Sequence, residues 1–305
     1  MIKVSIIIPN YNHSSFLKQR IDSVLNQTFQ DFELIILDDC STDNSSKVIN
    51  SYSNNDKISH IIFNEENSGS PFKQWQKGIE LAKGEYVWIA ESDDWCEPTL
   101  LQDLVEGIEK DKECVISYCQ MSCIAGDNKI KWQSHHHSLS DIIDSKTFIH
   151  DYLSIKVAIY NASMAIFKRE TYKNVTNEFT TFQLSGDRMF WIQVARQGKV
   201  HVSGKVLNYF RKHDKDVSGK AYKSGINFIE EFRIINWMYK EDLIDDRIYN
   251  LAIRNQFKGY WKVRNRIDPK NKARIQPLFH DLKTKNSTIL KYLPTAMWSA
   301  WKNKE

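Results

Sequence analysis

The segment WIAESDDW (residues 88–95) joins two kinds of sequence that seldom adjoin. Trp88, Ile89 and Ala90 are typical of a buried strand, yet three acidic residues follow within the next four positions, namely Glu91, Asp93 and Asp94. Neighbouring carboxylates repel one another, and removing them from water costs free energy unless a cation lies among them. The segment therefore predicts a strand that ends at a cation-binding edge of a sheet.

The sequence on either side of this segment alternates between strands and helices. Apolar, β-branched runs predict buried strands at VSIII (4–8), FELIIL (32–37), ISHIIF (58–63) and EYVWIAE (85–91). Helical spacing of apolar residues predicts helices over 14–27, with Ser14 or Ser15 as N-cap, and from Pro71 onward, with Gly84 past the end of the helix. Such strand–helix–strand units favour right-handed crossovers. We therefore expect an α/β fold with a mostly parallel central sheet and helices on both faces.

The second half of the chain is patterned less regularly. Strands are predicted at 114–121, 163–169 and 200–213, and helices at 100–108 and 184–198. Residues 124–150 are polar and predict a long loop. His135–His137 in this loop are interpreted as solvated, with metal binding as the alternative. From about residue 223 the pattern becomes helical, with aromatic residues among Lys and Arg.

Composition indicates an ordinary globular protein, with 41% hydrophobic and 26% charged residues. The net charge of +4 is too small to indicate a nucleic-acid partner. The basic residues concentrate at the C-terminus, where twelve Lys and Arg from Lys258 onward face three acidic residues. We find no signal peptide or membrane-spanning run, and we interpret the five cysteines as reduced thiols. These features predict a cytoplasmic protein.

Polar residues follow the predicted strands at their carboxyl ends, where open α/β sheets bind ligands. They include Asn10, Tyr11, Asn12 and the pair Asp38–Asp39, besides the acidic cluster. A divalent cation in such a cleft usually neutralises phosphate, Asp39 could accept a hydrogen bond from a base, and Tyr11 could stack on it. No GxGxxG motif or Walker loop is present. The pattern predicts a pocket for a nucleoside diphosphate.

Two long stretches resemble family 2 glycosyltransferases of the GT-A fold. They are VSIIIPNYNHSSFLKQRIDSVLNQTFQDFELIILDDCSTDNS and NSGSPFKQWQKGIELAKGEYVWIAESDDW, and the resemblance resumes at LSGDRMFWIQVARQG and YFRKH. It implies an inverting transferase that takes a sugar from a nucleotide donor, commonly a UDP-sugar, with Mn²⁺ or Mg²⁺. The implied acceptor is a glycan or lipid-linked saccharide of a surface polysaccharide such as O-antigen or capsule.

The resemblance assigns the donor site to the strand ends. Pro9, Tyr11 and Asn12 match the P-x-Y-N strand end of the family, and Asp39, with Asp38 beside it, matches the base-binding Asp. We expect the nucleotide to contact Pro9, Tyr11, Asn12, Asp38, Asp39, Asn67, Lys73 and Asp93. Asn67 and Gly69 are expected to form the turn that positions the helix beginning at Pro71.

ESDD stands where the family has D-x-D or D-x-D-D, and Glu91 is the departure from that pattern. Because Glu is one methylene longer than Asp, we assign the metal to Asp93 and Asp94, and either could be the ligand. His213 in YFRKH resembles the family histidine that approaches the metal, with an ordinary surface histidine as the alternative. Glu91 is then a contact for the diphosphate or acceptor.

Asp187 in SGDRMFW matches the acidic general base of the family. The alternative is that Asp187 only caps its helix. Arg188 is a further candidate for the diphosphate or acceptor. Trp95 is a candidate wall of the acceptor side, with plain packing as its alternative. We interpret Trp75, which shares a helical face with Phe72 and Ile79, as core.

The predicted organisation is a GT-A catalytic domain over 1–222 and a helical extension over 223–305. The catalytic domain divides into a nucleotide-binding half, 1–96, and an acceptor-binding half, 97–222. The extension is expected either to lie on an anionic membrane surface, at the inner face of the cytoplasmic membrane, or to pack on the catalytic domain. The alternatives to an active enzyme are an impaired sugar-nucleotide-binding module, which Glu91 keeps open, and a receiver-like phospho-acceptor domain.

Overall fold

A computed structural model describes residues 2–126, 129–213 and 224–278. Its centre is one sheet with the strand order β3-β2-β1-β4-β9-β6-β10-β5, to which β7 adds beside β6 and β8 beside β10. The strands are β1 (Val4–Asn10), β2 (Phe32–Asp38), β3 (Ile58–Phe63), β4 (Tyr86–Ile89), β5 (Trp95–Cys96), β6 (Cys114–Ile124), β7 (Ile130–Gln133), β8 (Ser140–Ile143), β9 (Ala165–Lys168) and β10 (Lys199–Arg211).

The N-terminal half is a parallel sheet. Strands β1 to β4 pair in parallel, and every residue of β1, β2 and β4 is buried, as their apolar sequences require. Helices α1 (Ser14–Leu25), α2 (Ser45–Asn50) and α3 (Pro71–Leu81) form the crossovers. The predicted N-cap of α1 was wrong, since His13 precedes the helix and the Asp43 carboxylate accepts the first N–H, from Ser14. The predicted α/β class is confirmed.

Pairing in the second half is more mixed than the sequence predicts. Strand β9 runs antiparallel between β4 and β6, whereas β6 and β10 are parallel. The short strands β5, β7 and β8 also pair antiparallel. Helices α4 (Leu100–Glu109) and α6 (Gly186–Ala195) cover this half. Eleven buried strand residues from Cys114 to Ile124 make β6 its central element.

The predicted loop over 124–150 contains regular structure. Strands β7 and β8 lie here, followed by one turn of α-helix, α5 (Ser145–Thr147), that continues as a π-helix over Phe148–Ser154. All four residues of β7 are exposed, because the strand lies on an open edge and buries no face. Such a strand shows no apolar alternation, which explains why sequence periodicity did not reveal it.

The described residues after 223 are helical, as predicted, and form α7 (Ile226–Lys240), α8 (Asp246–Val263) and α9 (Pro269–Leu278). Helix α7 buries Phe232, Ile234, Ile235 and Met238 in the main core, and Trp237 and Trp261 pack against that core. Trp298 and Trp301 lie outside the described residues. Within the described part of the chain, no helix has the length and hydrophobicity needed to cross a membrane.

Candidate functional site

The carboxyl ends of β1 and β2 are tied together by polar side chains. Asn10 Nδ2 donates to Asp38 Oδ2 at 2.7 Å, and the other Asp38 oxygen accepts the N–H of Ser41 at 2.8 Å. Asn12 adopts a left-handed conformation (φ 57°), and its Oδ1 accepts the N–H groups of Thr42 and Asp43. Asp38 and Asn12 therefore shape the loops after both strands.

Asp39 lies beside these loops in a pocket of amide and hydroxyl donors. Its Oδ1 accepts from Asn64 Nδ2 at 2.7 Å, Ser68 N at 2.9 Å and Gln74 Nε2 at 2.8 Å, whereas Oδ2 accepts from Ser68 Oγ at 2.7 Å. A carboxylate has about four lone-pair positions, two on each oxygen. Oδ2 is therefore the oxygen with the greater remaining capacity to accept a bond.

The acidic residues after β4 diverge because the chain turns immediately. The strand ends at Ile89, and Asp94 N donates to Glu91 O at 3.2 Å across a turn through Ser92 and Asp93. Asp93 faces a pair of histidines, whereas Asp94 points into the protein. The turn that the sequence required for both carboxylates to serve one ion is present, but it separates them.

Asp93 belongs to a cluster with two imidazoles, which we call the imidazole–carboxylate cluster (His13, Asp93 and His213). His213 Nε2 lies 3.0 Å from Asp93 Oδ2, and one ligand atom from each residue falls within 4.8 Å of the others. Ser92 Oγ holds His13 Nδ1 at 2.8 Å. Burial alone would raise the pKa of Asp93, but the His213 bond and the charge of His13 lower it.

Asp94 is fully buried and makes contacts inside the protein. Its Oδ2 accepts from Ser163 Oγ at 2.8 Å and lies 3.8 Å from Arg20 Nη2, while Oδ1 accepts the N–H of Arg211. Burial and the charge of Asp93 raise the pKa of Asp94. We therefore revise its assignment from metal ligand to partner of the buried Arg20.

Arg20 is the protein's own cation at the acidic turn. It is completely buried on α1, donates from Nε to Glu91 O at 2.8 Å and lies over the Trp88 ring. Together with an ion at the imidazole–carboxylate cluster, it would offset the repulsion that the sequence predicts among three carboxylates.

Glu91 is held by the indole of Trp75, which donates from Nε1 to Glu91 Oε1 at 2.9 Å. Burial raises the pKa of Glu91 to about 8, and the charges of Asp93 and Asp94 add to the shift. A cation at this edge would lower that pKa. Trp75 is buried, as predicted, and its indole N–H has a second role in positioning Glu91.

Asp187 lies in the first turn of α6, which begins at Gly186 after Ser185. Its Oδ1 accepts the N–H of Arg188 at 2.7 Å, so Asp187 is inside the helix and is not its N-cap. Burial raises the pKa of Asp187 to about 6, although the neighbouring Arg188 lowers it. Phe190, on the same helical face, packs edge-to-face on Trp75, which connects α6 to Glu91.

Arg188 points away from this face. Its Nε and Nη2 donate to the carbonyl of Leu153, Nη2 also reaches the carbonyl of Ser154, and Nη1 pairs with Glu231. The guanidinium is buried, so its donors are occupied inside the protein. We therefore revise the assignment of Arg188 from substrate contact to the packing of α6 on the π-helix and α7.

Five other candidates lie around the sheet edge. Tyr11 is 47% exposed beside the β1 end, which leaves its ring accessible. Asn67 closes the turn at Gly69 (φ +73°), and Lys73 donates to Ser68 O. Trp95 stacks on Tyr209 at a 5.0 Å centroid distance, and the Arg211 guanidinium lies over its ring at 4.5 Å from the centroid. This arrangement favours packing for Trp95. Pro9 is buried within β1.

Sequence reasoning missed His13, Arg20 and Ser163. His13 directly follows P-x-Y-N and is a metal-type ligand at the end of β1, which was a usable signal. Arg20 precedes Ile21 of the apolar stripe of α1, and sequence alone would place an arginine at such a position in solvent. Ser163, 69 residues from Asp94 in sequence, had no local signal.

The amino-acid sequence matches the family described as glycosyl transferase family 2 over residues 5–176, more than half of the chain. Among curated proteins, the putative teichuronic acid biosynthesis glycosyltransferase TuaG of Bacillus subtilis (strain 168) is 35% identical over 124 residues, 41% of this chain and 48% of TuaG. The poly(ribitol-phosphate) β-N-acetylglucosaminyltransferase TarP of Staphylococcus aureus (strain N315) is 28% identical over 272 residues, 87% of this chain and 79% of TarP. The matched part thus spans about half of TuaG.

The fold is also similar to a solved structure, S. aureus TarS 1–349 in complex with UDP-GlcNAc. The TM-score is 0.71 at 19% identity, with 92% of this chain and 80% of that chain covered. Strand order and strand-end carboxylates therefore define an α/β protein of the GT-A class. With the family match over residues 5–176, the chain belongs to glycosyltransferase family 2.

Proposed function

We propose that the protein is an inverting, metal-dependent glycosyltransferase that moves a sugar from a UDP-sugar to a saccharide or lipid-linked saccharide of a bacterial surface polysaccharide. One observation carries the proposal: the Asp39 pocket and the imidazole–carboxylate cluster follow the ends of β1, β2 and β4, and Trp75 links the helix of Asp187 to Glu91 at the same edge. These groups supply what transfer from a nucleotide sugar needs, which is base recognition, charge neutralisation and a proton acceptor.

The Asp39 pocket is assigned to the base of the donor. Asp39 Oδ2 accepts one protein hydrogen bond and can accept another from a base N–H. The exposed ring of Tyr11 offers a stacking face nearby. Uracil has one ring N–H between two carbonyls, which suits a single acceptor. The binding of UDP-GlcNAc by the structurally similar TarS supports this choice.

The imidazole–carboxylate cluster is assigned to the divalent ion. Two imidazoles and one carboxylate suit Mn²⁺ better than Mg²⁺, which prefers oxygen ligands. Ser92 fixes the ring of His13, as partners of metal-binding histidines commonly do. When bound there, the ion neutralises the charge of the donor diphosphate.

Asp187 is assigned the general base. Its carboxylate takes the proton of the acceptor hydroxyl while that oxygen forms a bond to the anomeric carbon. The bond from this carbon to the diphosphate oxygen breaks, and its electron pair leaves with the nucleoside diphosphate. A pKa near 6 keeps Asp187 ionised at neutral pH and makes it a stronger base than an ordinary aspartate.

Calorimetry tests donor and metal together. UDP, GDP and dTDP are titrated into the purified protein with and without Mn²⁺. We expect UDP to bind in the presence of Mn²⁺ and binding to weaken at least about tenfold without it. If UDP binds equally tightly with and without Mn²⁺, the assignment of His13, Asp93 and His213 as metal ligands is contradicted.

Turnover then separates an enzyme from a binding module. Incubation with UDP-GlcNAc and UDP-glucose, followed by chromatography of released UDP, measures donor hydrolysis in the absence of acceptor. The active transferase releases UDP, and Asp187→Asn removes that release. Metal-dependent binding with no release from any donor, and no transfer to saccharide acceptors, would favour the impaired module.

A further inference from the structure

A second cluster of metal-type ligands lies away from the proposed donor site, in the loop that joins β7 to β8 and on β8 itself. We call it the loop cluster; its members are His136, His137 and Asp141. The ligand atoms of these residues lie within 4.8 Å of one another. Asp141 Oδ2 is 3.5 Å from His136 Nε2 and 4.0 Å from His137 Nε2.

The spacing suits a tetrahedral ion. Zinc binds imidazole nitrogen and carboxylate oxygen at about 2.0–2.2 Å, so two ligands of one tetrahedral ion are about 3.3 Å apart. The two Asp141 distances are close to that spacing but long for direct hydrogen bonds. Asp141 Oδ1 accepts its neighbour's N–H from Ile142, which leaves Oδ2 directed at the imidazoles.

His136 supplies an independent sign that a ligand belongs here. The residue is only 8% exposed, and its buried Nε2 makes no hydrogen bond of normal geometry, with only the Asp141 carboxylate facing it at 3.5 Å. A buried polar atom without a partner costs about 1–3 kcal/mol, so it calls for an explanation. Coordination of an ion by Nε2 would satisfy that nitrogen.

The two imidazole rings lie side by side, with their centroids 4.4 Å apart. Their nitrogens and the Asp141 carboxylate can therefore serve one ion together.

The loop is already anchored on both sides of the cluster. Ser134 and Met121 exchange two hydrogen bonds at one end, and Gly204 N donates to Leu139 O at the other. We propose that His136, His137 and Asp141 bind a zinc-like divalent ion that fastens this loop to β8. Solvent supplies the fourth ligand, since His137 and Asp141 are partly exposed.

Zinc content tests the proposal against a matched neighbour. All variants carry His213→Ala, which weakens the imidazole–carboxylate cluster as a competing site. After equilibration with micromolar zinc and gel filtration, we expect about one zinc per chain for H213A alone and for H213A/H135A. We expect loss in H213A/H137A and H213A/D141N. His135 is the control, because it is adjacent and exposed but outside the cluster.

Two further readouts make the result decisive. Cobalt at a tetrahedral site absorbs strongly in the visible, so H213A and H213A/H135A should show these bands and H213A/H137A should not. Zinc should raise the Tm of the first two proteins by roughly 5–10 °C and leave H213A/H137A unchanged. His137 is mostly exposed, so its replacement does not threaten folding. Equal zinc content, spectra and Tm shifts in H213A/H137A and H213A/H135A would overturn the proposal.

Discussion

Asp187 is the residue on which turnover depends most directly in the proposed mechanism. Asp187→Asn keeps the shape of the side chain and its bond to the Arg188 N–H but removes the proton acceptor. A general base commonly contributes about 10²- to 10⁴-fold, so we expect kcat to fall by that factor. Calorimetric affinity for UDP with Mn²⁺ should change little. Wild-type turnover in the variant would remove Asp187 from the mechanism.

The same carboxylate sets an expected pH dependence. The base must be ionised, and burial raises its pKa to about 6. Activity should therefore be full well above pH 6 and decline as the pH falls through it, with a slope of one proton. Initial rates from pH 5 to pH 8 at saturating donor and metal test this. A decline centred near pH 4, the ordinary value for aspartate, would contradict the assignment.

His13 distinguishes the proposed ligand set from a set made only of acids. Loss of a residue that only holds a metal ligand in place commonly lowers metal affinity about 10- to 100-fold. Because His13 is proposed as a ligand itself, His13→Ala should lower the affinity for Mn²⁺ by at least this factor. Manganese titration followed by electron paramagnetic resonance measures the affinity. His60→Ala on β3 is the control, since His60 is outside the cluster. Equal affinities of the two variants would exclude His13 as a ligand.

At the residue scale, the sequence predicts where the acidic residues of the candidate site lie but not which role each of them has. The strand-end acids were predictable because parallel strands end together at one edge. Their separate roles depend on a turn at Ser92 and on Arg20 and Ser163, which are distant in sequence. Which carboxylate a buried arginine faces follows from three-dimensional packing, and no local pattern encodes it.

At the scale of elements, α7 holds the loop that precedes Asp187. The Glu230 carboxylate accepts the N–H groups of Gln183, Leu184 and Ser185 at 2.6, 2.9 and 2.8 Å. Glu230→Gln replaces one acceptor oxygen by a donor that faces these N–H groups. Because a displacement of about 1 Å can cost about 10²-fold, we expect kcat to fall roughly 10- to 100-fold while KM for the donor changes little.

A surface glutamate just after the same helix controls for charge loss. Glu241, which follows α7, pairs with Arg196, and both side chains are about two-fifths exposed. Such a pair is worth less than about 1 kcal/mol, so Glu241→Gln should leave kcat unchanged. If Glu230→Gln and Glu241→Gln have the same kcat, Glu230 does not position the base. The pH profile of Glu230→Gln should keep its shape with a midpoint at somewhat lower pH, since the base remains but the Glu230 charge that helps to raise the pKa of Asp187 is gone.

Elements that bury a face were predictable, and elements on open edges were not. Strands β1, β2 and β4 are continuous apolar runs because both faces are covered. Strands β7 and β8 carry polar residues, since they extend the sheet beside β6 and β10 with little burial of their own. Hydrophobic periodicity indicates which faces are buried. Backbone hydrogen bonding at the edge of a sheet does not require apolar side chains, so the periodicity does not reveal it.

At the scale of the whole molecule, the C-terminal helices share the core of the catalytic part. Phe232, Ile234 and Met238 are almost fully buried, and Ser154 Oγ donates to Met238 Sδ. A chain that ends near residue 222 would expose this apolar surface and release the loop before Asp187. The extension predicted from the sequence is therefore coupled structurally to the proposed site, and a useful truncation must retain α7 to α9.

The basic residues of the C-terminal helices predict association with an anionic membrane surface. Exposed cations follow one another through the end of α8 and α9, at Lys262, Arg266, Lys270 and Arg274, and more lie beyond residue 278. Each basic residue near such a surface contributes about 1 kcal/mol, and salt screens the attraction. We expect flotation with vesicles rich in phosphatidylglycerol at low salt, little with phosphatidylcholine, and loss of binding at high salt.

Two variants locate that attraction without damage to the core. Replacement of Lys262, Arg266 and Lys270 by Glu changes exposed side chains only, so Tm and UDP binding should match the wild type. Flotation should fall strongly in this variant if α8 and α9 carry the interaction. A chain that ends at residue 278 should keep the residual binding that these helices supply. Equal recovery of all three proteins on anionic and neutral vesicles would show that the basic residues do not bind the membrane surface and are only solvated by water.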